Sequence, residues 1–287
     1  RQMCIRDRLS FTPLLPKFSF CCRWLNWGNL ALSLLFAAGA LYAGVKVPVV
    51  KNVHIPSERL DREYTVVVLS DLHIHRVINP LKIERIVSLA NARNPDVVLL
   101  AGDIIDDDVR RVSKITALLK GLKASKGIYF VTGNHEFYAG YDETVRELAN
   151  LGFMFLENDG AAVGEDLYLA GVPDTFAGAA YGKTPDLNRA FAKAGKGAFR
   201  LLVSHTPSDF AGRDFDLEVS GHTHGGQIFP FHIFAKLHNK YLSGLYPMPG
   251  GAEIYVSNGA GQWGPQMRFL APSEITVLKL TPEKQEK

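Results

Sequence analysis

The sequence predicts an α/β fold, built on a mixed sheet or on two packed sheets, behind one apolar helix long enough to cross a membrane. Three observations carry this reading. Residues 25–45 hold no charge, short β-branched runs alternate with amphipathic helical stretches after residue 50, and polar clusters follow the ends of those runs. With 47% hydrophobic and 21% charged residues in 287, the chain can bury a core, which excludes disordered, collagen-like and low-complexity classes. Thirty-two Lys and Arg against 29 Asp and Glu leave +3 with no basic stripe, so no nucleic-acid partner is expected. The three cysteines, Cys4, Cys21 and Cys22, all precede residue 50, so any metal bound after that point must use His, Asp, Glu or Asn.

Residues 1–7, Arg-Gln-Met-Cys-Ile-Arg-Asp, resemble the translation of a transposase end sequence used in sequencing-library preparation. They are expected to be non-native, with the native chain starting further upstream; a native basic N-terminus is the other reading. Residues 8–50 are then expected to form a membrane region, and residues 51–287 a second domain. The run LNWGNLALSLLFAAGALYAGV over 25–45 has the length of a hydrocarbon span, with Trp24 and Trp27 at one end, Tyr42 near the other and Lys46 closing it. A cleaved signal peptide releasing a soluble secreted enzyme is the competing reading, since Leu-Tyr-Ala-Gly offers small residues near a cleavage point. Arg8, Lys17 and Arg23 before the span nearly balance Lys46, Lys51, Arg59 and Arg62 after it, so orientation is poorly determined; the extracytoplasmic side of a cell membrane is preferred for the domain after residue 50.

Beyond residue 50, residues 65–70 read as a buried strand. Asn79 and Pro80 supply a cap and first-turn proline for a helix carrying Leu81, Ile83, Ile86, Val87 and Ala90 on one face. The unit repeats with a strand at 97–101, a helix face of Val112, Ile115, Leu118, Leu119 and Leu122, and a strand at 127–132. A helix over about 142–151 stops at Gly152, and further strands are expected at 153–156, 167–170, 199–204, 217–220, 254–257 and 274–280.

The chemistry sits at the strand exits. Asp71 and His73 follow the first strand, Gly102-Asp103 the second, and Gly133-Asn134-His135-Glu136 the third. Ser204-His205 and Gly221-His222-Thr223-His224-Gly225-Gly226 follow two later strands, so five of the nine histidines stand at such exits. Ligands of open α/β sheets bind beyond the carboxyl ends of strands, so these groups can converge despite their separation. Several imidazoles with two or more carboxylates and no thiol suit borderline dications such as Mn, Fe, Zn or Co better than Ca or Mg. In an extended exit, His222 and His224 would project to one side.

This ordered series resembles the calcineurin-like metallophosphoesterase superfamily over roughly residues 60–280. Leu69-Ser-Asp-Leu-His73, Val131-Thr-Gly-Asn-His-Glu136, Ser220-Gly-His-Thr-His-Gly-Gly-Gln227, Gly261-Gln-Trp-Gly-Pro265 and Ala271-Pro-Ser-Glu-Ile275 are similar to its bacterial membrane-associated members with an N-terminal hydrophobic region. The resemblance implies two β-sheets sandwiched and flanked by helices, and two divalent ions. Asp71, His73, Asp103 and His224 would hold one ion, and Asp103, Asn134, His205 and His222 the other, with Asp103 bridging. It implies hydrolysis of a phosphoester by a metal-activated water, with His135 as the catalytic, non-ligand histidine that steadies a phosphoryl oxygen or protonates the leaving group.

A lipid-linked phosphoester is the expected substrate. Cleavage of a UDP-linked diacylated sugar in lipid A precursor synthesis is the specific alternative, and a catalytically silent metal-binding scaffold the alternative of another class. His75 stands equally for an entrance residue or a solvated loop, and Asp106 for hydrogen-bonding support of its loop. Asn258, Trp263 and Arg268 belong to a Gly-rich segment that could wall the pocket. His54, His232 and His238 are expected to play no part, and the phenylalanine-rich stretch 228–234 is expected to be a buried connection, with contact to a lipid or membrane surface as the other reading.

Overall fold

The computed structural model describes residues 15–283, apart from 176, 209 and 211–213. The segment expected to be non-native lies outside the described residues. Helix α1 (Leu15–Val45) starts earlier than the charge-free run predicts, and its apolar part, Asn26–Val45, is long enough to cross a membrane at about 30 Å. Its outward leucines, such as Leu35 at 71% exposure, have no protein cover.

The remainder is a two-sheet sandwich. In chain order it runs through β1 (Val49–Ser57), β2 (Tyr64–Leu69), α2 (Pro80–Asn91), β3 (Val97–Ala101), α3 (Val109–Thr116), β4 (Ile128–Val131), α4 (Asn134–Ala139), α5 (Tyr141–Asn150), β5 (Met154–Phe155), β6 (Asp159–Ala162) and β7 (Leu167–Gly171). It continues through α6 (Leu187–Ala190), β8 (Phe199–Val203), β9 (Leu217–Ser220), α7 (Phe231–His238), β10 (Gly244–Pro247), β11 (Glu253–Val256) and β12 (Glu274–Pro282). One sheet has the order β1-β12-β2-β3-β4-β5 and the other β10-β11-β9-β8-β7-β6. Strands β2, β3 and β4 pair in parallel, as do β7, β8 and β9, so each sheet points a set of carboxyl ends the same way.

The pleat decides the layers. Val66, Val68, Leu99 and Val131 face inward against Leu169, Leu201, Val203 and Val219 of the second sheet. Their neighbours Val67, Leu69, Val98, Leu100 and Phe130 face outward under Ile83, Ile86 and Ala90 of α2, with Val112 of α3 and Leu148 of α5. Tyr168, Ala170, Leu202, Ile254 and Val256 cover the far side with Leu187 and Ala190 of α6. Strands buried on both faces read as continuous apolar runs, which is why residues 65–70 and 97–101 were legible.

The predicted helix after Asn79 is present, and the Asn79 side chain accepts from the Leu81 amide. The single helix expected over 112–122 divides into α3 and a 3₁₀ turn over Ala117–Gly121. Strand β1 was not anticipated: Lys51, His54 and Pro56 break its apolar pattern, which an edge strand tolerates because it pairs on one side only, with β12.

Helix α1 is tied to the sandwich. The Arg268 amide donates to the Ala40 carbonyl at 2.9 Å, and Lys82 Nζ donates to the Gly44 carbonyl at 3.0 Å and to Gln262 Oε1 at 2.6 Å. Gly44 is needed there, since a Cβ would stand 2.3 Å from the Gln266 carbonyl oxygen. Burial pushes the Lys82 ammonium down from the ordinary 10.5 to about 8. Between those values the folded chain binds fewer protons at Lys82 than the unfolded chain, so this group's contribution to stability grows as pH rises through the window. The unfolding temperature of the wild type is therefore expected to gain on that of Lys82→Met between pH 7 and pH 9.5, read by thermal scans in detergent; a constant difference would show that Lys82 keeps its ordinary proton affinity.

Candidate metal centre

All the predicted site residues stand at one rim of the sandwich, beyond the carboxyl ends of β2, β3, β4, β8 and β9. The exits stay zipped after the strands end: the amides of Asp71 and His73 donate to the carbonyls of Gly102 and Asp103 at 3.0 and 2.9 Å. Asp71, His73, Asp103, His222 and His224 all have positive φ, between 45° and 67°. For residues with a Cβ this left-handed backbone costs on the order of 1–3 kcal/mol each, and it persists because the sheets on either side over-determine it. Close approach requires glycine at two turns. A Cβ on Gly133 would stand 2.2 Å from Asp103 Oδ1, and one on Gly221 1.8 Å from Ser70 Oγ.

Among the described residues three groups of side chains have donor atoms close enough to share a cation: one joins His73, Asp106 and His135, and the other two are made of predicted metal ligands. Of those two, Asp71, His73 and His224 form the first, and Asp103, His205 and His222 the second. In the first, the Nε2 atoms of His73 and His224 lie 3.1 Å apart, and His224 Nε2 lies 3.4 Å from Asp71 Oδ1. In the second, His205 Nε2 lies 3.1 Å from Asp103 Oδ2, and His222 Nδ1 2.9 Å from Asn134 Oδ1. Asp103 Oδ2 also lies 3.7 Å from His73 Nε2, so this oxygen stands between the groups, while Oδ1 accepts from the His135 amide at 2.8 Å.

His222 and His224 do not leave the strand extended and parallel, as the sequence reading expected. Thr223 between them is right-handed helical while both histidines are left-handed, and this alternation sends one imidazole to each group.

The donor set fits divalent metal ions on a structural observation. His205 is fully buried and spends its Nδ1–H on the Ala101 carbonyl at 2.8 Å, which leaves Nε2 facing Asp103 without an aligned hydrogen bond. A nitrogen lone pair and a carboxylate oxygen held at this distance call for a cation between them. Burial alone would raise the Asp103 carboxyl, but His205, His73 and His135 hold it well below the usual carboxylate range. Burial opposes charge on His205, yet the neighbouring Asp103 carboxylate pushes it well above 6.5, which shows how strongly this spot favours positive charge. Burial pushes His222 down, helped by His205, and it pushes His224 down, helped by His73 and Arg268. These two imidazoles are thereby kept in the neutral form that ligates.

Three residues have roles the sequence reading did not assign. Glu136 was visible only as part of a motif, yet its buried carboxylate accepts from four amides: Asp103 and Gly133 on Oε2 at 3.0 and 2.6 Å, Ile104 and Ile105 on Oε1 at 2.6 and 3.0 Å. It ties the exits of β3 and β4 into one unit, and its spacing from Gly133 is that of an N-cap and its reciprocal N3 acid, a signal present in the sequence. Asp106 does more than support its loop. Its Oδ1 lies 2.5 Å from His135 Nδ1, fixing that ring, and its Oδ2 lies 3.3 Å from His73 Nδ1 without an aligned hydrogen bond. Burial works against charge on His135, but Asp106 and Asp103 outweigh it and raise the imidazole above its ordinary value. Arg268 does not wall the pocket: it is fully buried and donates to the carbonyls of Gly261, Asn258, Ala271 and His224 at 2.6 to 3.2 Å, bracing the C-terminal loop against the site. Trp263 does reach the cavity, which holds about 520 Å³ and is also lined by His135 and Tyr138. His75 is half-buried and lines neither this cavity nor its apolar neighbour.

Comparison with known proteins shows the family. Residues 64–226 match the family model described as calcineurin-like phosphoesterase. A metallophosphoesterase of Helicobacter pylori strain J99 is 37% identical over 260 residues, covering 89% of this chain and 70% of that protein. A Danio rerio protein named as a transmembrane protein with a metallophosphoesterase domain is 34% identical over 268 residues, covering 88% and 61%. A solved dimetal phosphatase from Danio rerio overlays with a TM-score of 0.47 at 14% identity, covering 78% of this chain and 100% of that one. The chain belongs to the calcineurin-like phosphoesterase family, and it is a metal-dependent hydrolase of phosphoester bonds.

Glu136→Gln keeps size and removes two acceptor positions, leaving two buried amides facing an NH₂ group. At about 1–3 kcal/mol for each orphaned donor, a loss of about 2–6 kcal/mol in unfolding free energy is expected, with weaker Mn binding by calorimetry. Unchanged stability and binding would remove Glu136 from this role.

Proposed function

We propose that the protein is a membrane-tethered phosphohydrolase working with two divalent cations, Mn, Fe, Zn or Co, and acting on a phosphodiester, with a lipid-linked ester as substrate. One ion is assigned to Asp71, His73, Asp103 and His224, and the other to Asp103, Asn134, His205 and His222. The observation that carries this reading is Asp103 Oδ2 between His205 Nε2 at 3.1 Å and His73 Nε2 at 3.7 Å, the position of a shared ligand. When bound, such a pair of cations supplies the charge that acidifies water and neutralises phosphoryl oxygens.

The chain's own residues do the rest. Asp103 Oδ1, held by the His135 amide, keeps the carboxylate turned so that Oδ2 is shared. Asn134 opens α4 and adds a neutral oxygen, which limits the negative charge gathered beside an anionic substrate. His135 has Nδ1 engaged by Asp106, so Nε2 remains to donate to a phosphoryl oxygen or to the departing alkoxide. Trp263, Tyr138 and His135 line the cavity together with Asp103 and the metal-site histidines. Residues 8–50 are assigned as the membrane region and 51–287 as the catalytic domain; the length and exposed apolar surface of α1 support the tether.

The test is turnover of bis(4-nitrophenyl) phosphate by the full chain in detergent. Dialysis against a chelator is expected to abolish it and Mn to restore it. Asp103→Asn is expected to lose at least a hundredfold in kcat and to bind fewer than two metal equivalents. Near-normal turnover by that variant would sink the shared-ligand assignment.

A further inference from the structure

The stretch 228–234, expected to be a buried connection, lies on the outside. Among the described residues of α7 none is buried, and its large apolar side chains face solvent: Phe231 is 64% exposed, Phe234 63% and Leu237 80%. Scattered exposed apolar residues are ordinary, but a contiguous set beside an active site marks a binding surface. A groove of about 430 Å³ runs along α7, within the range of about 300–1,000 Å³ typical of ligand sites. Its apolar walls are Ile228, Phe231, Phe234 and Ala235 on one side and Trp263 and Pro265 on the other, and no Asp, Glu, Lys or Arg lines it.

Two further observations identify the occupant. The groove's inner end is formed by His222 and His224, and these residues together with Trp263 also line the cavity at the metal centre, so the two spaces adjoin. The wall carrying Trp263 and Pro265 belongs to the loop on which α1 is seated. Arg268 N bonds to Ala40 O, the Phe36 and Phe269 rings lie 4.5 Å apart, and Gly44 packs against Gln266. Ala40 and Gly44 are near the end of the apolar run Asn26–Val45, so the loop carrying this wall is seated against the end of the candidate span.

We propose that this groove holds an aliphatic chain of a membrane phosphoester and delivers the phosphoryl group to the metal centre. This rests on the phosphohydrolase reading and adds to it the surface that would hold the apolar chain of its lipid-linked substrate. Chain burial against Phe231, Phe234 and Trp263 would supply the binding, and His222 and His224 at the inner end would set how far the head group advances.

The experiment compares two chromogenic diesters, 4-nitrophenyl methyl phosphate and 4-nitrophenyl dodecyl phosphate, on the Mn-loaded full chain in phosphatidylcholine nanodiscs. Ala235→Trp fills the groove without touching the metal centre. The variant is expected to raise KM for the dodecyl ester at least tenfold while kcat/KM for the methyl ester stays within twofold. An equal effect on both esters, or none on the dodecyl ester, overturns the proposal.

A second measurement needs no turnover, so failure of the hydrolase reading is told apart from failure of the groove. Dodecyl phosphate with a terminal diazirine, photolysed on the metal-free full chain in the same nanodiscs, is expected to label residues 228–235, and this label is expected to disappear in Ala235→Trp. Labelling confined to α1 overturns the proposal. Labelling of 228–235 that the variant leaves unchanged also overturns it, in favour of simple bilayer contact by α7.

Discussion

The rim of this protein is organised around one buried anion. Asp103 sits at the end of β3 with almost no access to water, and an isolated carboxylate there would carry a desolvation cost of several kcal/mol. Its surroundings answer that cost from every side. His205 and His73 face one oxygen, the His135 amide bonds the other, and Glu136 holds the loop on which it stands. A centre built this way favours dications because they supply fixed charge where a proton supplies charge that titrates.

The same logic explains the backbone. Left-handed residues at Asp71, His73, Asp103, His222 and His224 are locally unfavourable, and a flexible loop would relax them. Here the two sheets prevent relaxation. Parallel strands bring their exits to one level, interstrand hydrogen bonding continues past the last strand residue, and Glu136 and Arg268 brace the loops from beneath with multiple bonds to backbone atoms. The inter-sheet core of Val68, Leu99, Leu201 and Val219 supplies the rigidity that this arrangement draws upon.

The apolar helix at the N-terminus is part of the same architecture. It is seated on the loop that Arg268 braces, and that loop carries Trp263 to the cavity. Anchor, loop and centre are therefore mechanically continuous: Arg268 bonds through its amide to α1 and through its guanidinium to the His224 carbonyl.

Much of this was present in the sequence, for definable reasons. Continuous apolar runs such as 65–70 and 97–101 declare strands buried on both faces, Asn79-Pro80 declares a helix start, and the charge-free run 25–45 declares a helix suited to lipid, because each depends on local composition and period. Polar clusters at successive strand exits, read with the family resemblance, pointed to a metal centre before any side chain was placed. What the sequence could not show depended on distant partners. The edge strand β1 is a strand only because β12 lies beside it. The division of His222 and His224 between two groups comes from the turn at Thr223, the bonds of Glu136 to Asp103, Ile104 and Ile105 from amides 31 to 33 residues away, and the burial of Arg268 from carbonyls gathered across a folded loop. Exposure of the phenylalanines on α7 follows from which surfaces the sheets leave uncovered. Local pattern thus determined the elements and their chemistry, whereas distances between elements, which only packing sets, decided which atoms meet.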